Sequence, residues 1–238
     1  MVKTVSGIRA SSLKISIAQL LKQIPLFAGV GETALVELER SCFRKRLEKG
    51  QALFFRGDPA ENFYLVLSGE IALVLRSPDG RELIINVMRS GDFFGELGLL
   101  TGQPRSADAV TRRTAELVVV PRQAFLAVLE HEPRVVQRLL KTTANRLSRT
   151  SDFQNSLAFL DAQARLARIL LDLDALNEER GYITISQEEL AQRSGLIRQT
   201  VANTLGKWRR KGWLLTGRGH IMLLNRDALR LWFKESVG

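Results

Sequence analysis

A chain of 238 residues, 45% hydrophobic and 25% charged, is long enough for one large or two modest packed domains. Its formal charge of +10 points to a polyanionic partner, and no apolar run approaches the roughly 18 residues of a membrane span. A single cysteine, Cys42, excludes an intrachain disulfide and any thiolate metal or iron–sulfur site, and His131 and His220 stand too far apart to form a ligand pair, so no metal is expected.

The N-terminus carries scattered positive charge without a continuous apolar stretch or a cleavage pattern, so no secretory signal is expected and the compartment is read as cytoplasmic. Residues 1–15 are expected as a mobile tail. Residues 18–42 read as short helices: Ile17, Leu20, Leu21 and Ile24 recur at helical spacing up to Pro25, and Leu35, Leu38 and Cys42 repeat the pattern.

From 43 to 120 the pattern changes to short β-rich runs (QALFF, NFYLVL, EIALVLR, ELIINVM, AELVVV) separated by glycines. VLSGEIAL reads as a tight hairpin through Ser68-Gly69, and RSPDGREL as a second through Pro78-Asp79-Gly80. Many short strands without intervening helices imply an antiparallel barrel or jelly roll.

A helix follows from Pro121, which is acceptable in a first turn. From Arg134 a second helix runs for about thirty residues without Gly or Pro. Leu140, Thr143, Leu147, Thr150, Gln154 and Leu157 alternate three and four apart along it, a short heptad seam that predicts a homodimer. The polar members Thr143, Thr150 and Gln154 either set register or face something polar. The domain borders are placed near 130 and 160, giving a β domain over 18–130, a dimer helix over 131–160 and a reader over 161–238.

Residues 181–238 hold ten Lys/Arg against four Asp/Glu. Within them Ser186 and Glu189 form an S-x-x-E capping box, Gly195 centres a turn, and a second helix starts at Ile197 or Arg198 and runs to about Lys211. Val201, Leu205 and Trp208 share one face of it; Gln199, Ala202, Asn203 and Gly206 share the other. Two short strands around Gly217-Arg218-Gly219 then make a wing. This is a winged helix-turn-helix, and its expected partner is double-stranded DNA. Arg198 can bond guanine O6/N7, and Gln199 and Asn203 can each pair with adenine N6/N7. Thr200 and Arg218 suit phosphates, and Lys207 joins the DNA-binding residues through the basic cluster Lys207, Arg209, Arg210 and Lys211.

The stretch FGELGLLTGQPRSADAV, residues 94–110, has the parts of an anion pocket. Gly95 and Gly98 let backbone come close, the turn through Glu96 and Leu97 can aim N–H groups, Arg105 supplies a guanidinium and Ser106 a hydroxyl. Glu96 fits only if it accepts from a hydroxyl on the same ligand, such as a ribose 2′-OH. With Glu96 and Arg105 summing to zero, the site suits a singly charged cyclic nucleotide. The alternative is an internal Glu96–Arg105 ion pair in an emptied pocket.

This stretch resembles the phosphate-binding cassette of cyclic-nucleotide-binding domains, through the motif F-G-E-L-x-L-x(4)-P-R-S-A. Over about residues 18–230 the chain resembles the CRP/FNR family of bacterial transcription regulators, the catabolite-activator type. The resemblance implies an α+β fold: an N-terminal cyclic-nucleotide-binding β-roll (jelly roll), a long dimerisation helix and a C-terminal winged helix-turn-helix. It implies that Glu96 holds the ribose, that Arg105 and Ser106 hold the cyclic phosphate, and that Thr150 and Ser151 on the dimer helix contact adenine from both subunits, with cyclic AMP as the allosteric ligand. RNA polymerase is a further implied partner. The recognition helix departs from that type's R-E-T-V-x-R, carrying Gln199 and Asn203 where Glu and Arg would stand, so a changed half-site with more adenine readout is expected. Cyclic GMP sensing, a ligand-independent regulator with a vestigial pocket, and a nucleotide-hydrolysing enzyme are the rival readings; no nucleophile–base pair or metal cluster in the sequence supports the last.

Overall fold

The computed structural model describes residues 15–176 and 180–235, so the expected tail over 1–14 lies outside the described residues. Helix α1 (Ile17–Gln23) opens on a complete capping box: Ser16 Oγ accepts from Gln19 N, and Gln19 Oε1 accepts from Ser16 N. A 3₁₀ turn (Pro25–Phe27) and α2 (Glu32–Glu39) follow.

Strands β1 (Phe43–Leu47), β2 (Ala52–Phe54), β3 (Asn62–Arg76), β4 (Glu82–Met88), β5 (Phe93–Phe94) and β6 (Asp108–Pro121) form one antiparallel sheet in the order β1-β6-β3-β4, with β2 on β6 and β5 on β3. Helix α3 (Glu96–Thr101) interrupts it. Along β3, side chains alternate between two cores. Phe63 and Leu65 join a layer built with Leu21, Phe27, Leu35 and Phe125, and Tyr64 and Val66 point into the roll with Phe94 and Leu117.

Ser68-Gly69 does not turn a hairpin. β3 runs straight through it for 15 residues and pairs with β6 on both sides. Gly69 takes φ +84° at a bulge, and a Cβ there would overlap the Thr114 carbonyl oxygen and lie 2.6 Å from Ala115 Cα. Register shifts between Val66 and Ile71 reverse the alternation along β3, so that Ile71 and Leu73, at odd positions, now face the interior that Tyr64 and Val66 faced before them. The hairpin through Pro78-Asp79-Gly80 does form, joining β3 to β4 with Arg76 opposite Glu82. Strand β1 escapes a hydrophobic reading because its sequence FRKRL, exposed over four of five positions, is that of a charged edge strand.

Pro121 ends β6 and caps α4 (Arg122–His131) instead of entering its first turn. Helix α5 (Pro133–Phe159) then runs for 27 residues. Its start is buried through Val135 and Leu139, whereas Leu140 and Leu147 are 64% and 68% exposed. Asp161 caps α6 (Ala162–Ala175), its Oδ1 accepting from Ala164 N at 2.7 Å. The C-terminal unit comprises β7 (Ile183–Thr184), α7 (Gln187–Ser194), α8 (Arg198–Arg210), β8 (Leu214–Gly217), β9 (His220–Leu223) and α9 (Arg226–Glu235), around a core of Leu166, Leu170, Leu190, Val201, Leu205 and Trp208. Among the described residues no helix is long and apolar enough to cross a membrane.

Candidate functional site

The chain leaves β5 at Phe94 and reverses at Gly95, φ +88°, into α3. Glycine is required here twice over. The backbone is left-handed, and a Cβ would fall 2.8 Å from Arg105 Nη1 and 3.2 Å from the Asn62 carbonyl oxygen. Arg105, only 5% exposed, donates from Nη1 to the Gly95 carbonyl at 2.9 Å and from Nη2 to the Asn62 carbonyl at 2.6 Å. Its guanidinium lies 4.4 Å from the Phe54 ring centroid and 5.4 Å from that of Tyr64. Burial lowers its pKa from the ordinary arginine value, opposed mainly by Tyr64, whose own phenol burial pushes up. Nε is buried without a hydrogen-bond partner. Ser106 is exposed beside it, and Leu97 is exposed on the outer side of α3.

Glu96, 4% exposed, does not close an internal pair with Arg105. Its Oε1 accepts from Arg146 Nη1 on α5 at 3.0 Å, while Arg146 Nη2 donates to the Phe93 carbonyl at 2.6 Å. The two cassette charges thus have different partners: Arg105 is anchored on backbone carbonyls and Glu96 on the long helix. Arg146 escaped the sequence reading because a lone arginine on a helix does not disclose a contact 50 residues away. The structure therefore gathers Gly95, Glu96, Arg105 and Arg146. Thr150 and Ser151, one turn further along α5, are exposed, and their hydroxyls bond back to the Arg146 and Leu147 carbonyls at 2.9 and 3.1 Å. Within one chain they do not bond the cassette. Arg146 also borders a cavity of about 830 Å³ between β4, α5 and α6, where Asn86, Met88 and Arg149 join it.

In the C-terminal unit, Ser186 Oγ accepts from Glu189 N at 3.1 Å, but the expected box is only half made. The Glu189 carboxylate turns to Arg193, at 2.7 Å from Nη2, because an ion pair one helical turn on outcompetes a neutral backbone donor. Gly195, φ +67°, supplies the turn. Val201, Thr204, Leu205 and Trp208 bury one face of α8. Arg198, Gln199, Asn203 and Lys207 are exposed on the other, with Thr200 half-buried. Gln199 Nε2 donates to Asn203 Oδ1 at 3.0 Å, so each amide satisfies part of the other. Arg198 and the exposed wing residue Arg218 line the same groove of about 420 Å³, which puts the start of α8 and the wing on one face. Among the described residues no group of His, Cys, Asp and Glu is arranged to hold a metal.

Residues 44–132 match the cyclic nucleotide-binding domain family, and residues 164–232 match the Crp-like helix-turn-helix domain family. A CRP-like cAMP-activated global transcriptional regulator of Mycobacterium tuberculosis (strain ATCC 25618 / H37Rv) is 31% identical over 217 residues, covering 89% of this chain and 97% of its own. The cAMP-activated global transcriptional regulator CRP of Escherichia coli O6:H1 is 33% identical over 69% of this chain and 81% of its own. Among solved structures, the c-di-GMP responsive global regulator CLP of Xanthomonas campestris superposes with a TM-score of 0.74 at 26% identity, over 81% of this chain and 99% of that one. An anion cassette in a β-roll, a long helix and a winged reader, in that order and with these matches, place the chain in the CRP/FNR family: it is a DNA-binding transcription regulator with a cyclic-nucleotide-binding domain and not an enzyme.

Proposed function

We propose that the chain is a homodimeric, cytoplasmic regulator whose affinity for a two-fold DNA operator is switched by cyclic AMP. The observation that carries this is the Arg105 guanidinium, fixed on two carbonyls next to the exposed Ser106 and a buried Glu96 tied to α5, within the segment that matches the cyclic nucleotide-binding domain family. Arg105 and Ser106 take the cyclic phosphate, aided by the backbone at Gly95 and Leu97, and Glu96 takes the ribose hydroxyl. Because Glu96 is already bonded to Arg146, a ribose arriving at Glu96 competes with or reorients that pair. Occupancy is thereby felt on α5, where Thr150 and Ser151 of both subunits stand ready for the base.

The exposed Leu140 and Leu147 of α5 support the dimer seam, since leucines this bare on a 27-residue helix call for a partner. Two reading units then present α8 to successive major grooves roughly 34 Å apart. Arg198, Gln199 and Asn203 read bases, while Thr200, Lys207 and Arg218 hold phosphates. RNA polymerase is the partner that a regulator of this type addresses once on DNA. In this reading the functional division is 18–130 for nucleotide, 131–160 for dimerisation and 161–238 for DNA.

The test is DNA affinity with and without cyclic AMP, since a ligand shifts the equilibrium only by its preference for one dimer geometry. A rise of about tenfold or more with ligand, lost in Arg105→Ala, is the expected result; equal affinities would remove the switch. One observation favours a second reading. Arg105 is buried and already holds two acceptors, as it would in a ligand-independent regulator with a vestigial pocket. Full-strength footprinting by nucleotide-free protein would establish that alternative. Cyclic GMP and cyclic di-GMP belong in the same titration, the latter because the Xanthomonas relative is described as responsive to it.

A further inference from the structure

The reading unit is held against the β-roll by side chains as well as by the helices between them. Gln192 on α7 donates from Nε2 to Glu82 Oε2 on β4 at 2.8 Å, and its Oε1 accepts from Arg112 Nη2 on β6. These contacts fix the amide's orientation, because an ionised carboxylate only accepts and a guanidinium only donates. Glu82 is itself gripped by Arg76, whose Nε and Nη2 reach Oε1 at 3.1 and 3.0 Å. Arg76 Nη1 continues to Asp108 Oδ2 at 2.5 Å, and Asp108 Oδ1 accepts from the Arg56 amide at 2.7 Å. Asp108 is buried and stands two residues beyond Ser106. A continuous polar chain, Asp108–Arg76–Glu82–Gln192, thus joins the end of the cassette to the first helix of the reader. The end of α7 also stands close to the hairpin: a Cβ added at Gly195 would lie 3.6 Å from both Leu83 on β4 and Leu157 on α5.

We propose that Gln192 is a positioning residue: it seats α7 on the β3–β4 hairpin, and through α7 it sets where the recognition helix α8 stands. Leu190 and Ala191 of α7 share one buried core with Val201 and Leu205 of α8, so α8 follows when α7 shifts. The hairpin then carries cassette occupancy to the reader within a single chain, beside the route through α5. That last step rests on the cyclic-nucleotide reading above; the seating does not.

The test exchanges the two functional groups in the full-length protein. Gln192→Glu sets a second carboxylate against Glu82. The double variant Glu82→Gln/Gln192→Glu restores the bond between positions 82 and 192 with donor and acceptor reversed, and still leaves an acceptor for Arg76 and one for Arg112. In Gln192→Glu, backbone hydrogen exchange over residues 187–194 is expected to accelerate at least about threefold, and the ratio of DNA affinities with and without cyclic AMP to fall by a similar factor. Both return in the double variant, while cyclic AMP binding itself holds in each protein. Unchanged exchange in Gln192→Glu, or a double variant no better than the single, would overturn the proposal. If wild-type DNA affinity ignores cyclic AMP, the transmission step falls with the reading it rests on, and the exchange result still decides the seating.

Discussion

Arg146 Nη1 on α5 stands 3.0 Å from Glu96 Oε1 on α3, with the two side chains only 19% and 5% exposed. The pair bolts the long helix to the nucleotide cassette, and removing Arg146 leaves the Glu96 carboxylate buried without its partner. Arg146→Met is expected to cost about 2–3 kcal/mol in urea denaturation, whereas adding Glu96→Gln to it recovers at least about 1 kcal/mol, since an unpartnered buried carboxylate is worse than a neutral amide. Additive losses would show that the two residues do not act as a pair.

The bulge at Gly69 makes a sharper demand. Left-handed backbone and overlap with the Thr114 carbonyl act together, so Gly69→Ala is expected to destabilise by about 2–4 kcal/mol. Gly80, at φ +82° but facing open space, provides the control at about 1 kcal/mol. Equal midpoint shifts in chemical denaturation would refute the close-approach argument.

What local pattern can disclose was disclosed. The turn at Gly195, the buried face Val201–Leu205–Trp208 and the long helix all follow from spacings within a dozen residues. Ser68-Gly69 failed as a hairpin because a glycine with positive φ serves a turn and a bulge equally well, and only the pairing of β3 with β6 decides between them. The cassette's residues were identifiable, but their partners were not. Arg146 lies 50 positions from Glu96, Arg76 lies 32 from Asp108, and Gln192 lies 110 from Glu82. Such pairs are chosen by the fold and leave no periodicity. Glu189 shows the same limit at short range, where Arg193 took the carboxylate that the capping motif had assigned to Ser186.

On α5, Leu140 and Leu147 are the most exposed seam leucines. Leu147→Glu places a charge on each side of the proposed two-fold axis and is expected to weaken dimerisation by at least about tenfold, read by sedimentation equilibrium, with helicity retained. A wild-type protein that sediments as a monomer at micromolar concentration would remove the seam.

At the DNA face the proposed roles separate by their salt and sequence dependence. Arg218→Ala should weaken binding uniformly across sequences and lower the slope of log affinity against log salt by about 1. Asn203→Ala should instead relax preference at one base pair by about 1–3 kcal/mol with little change of slope. The reverse pattern would exchange the roles of wing and helix.

Burial pushes the Cys42 thiol up to about 12, with Glu39 adding to the shift. Well below about pH 8 both folded and unfolded thiols are protonated, so Cys42 contributes nothing to the pH dependence there. Above it only the unfolded state ionises, and stability falls as pH rises toward 12. Alkylation of the native protein at pH 8 should be slower than that of the unfolded chain by roughly a hundredfold or more. A native rate close to the unfolded one would contradict the buried, protonated thiol.

Arg105 and Glu96 are proposed above to form a working nucleotide site. Its most direct test is a calorimetric titration of cyclic AMP into protein stripped of bound nucleotide, beside Arg105→Ala. Saturable binding of about one ligand per chain is expected in the wild type and none in the variant. Absence of binding in the wild type, or undiminished binding in Arg105→Ala, would contradict it.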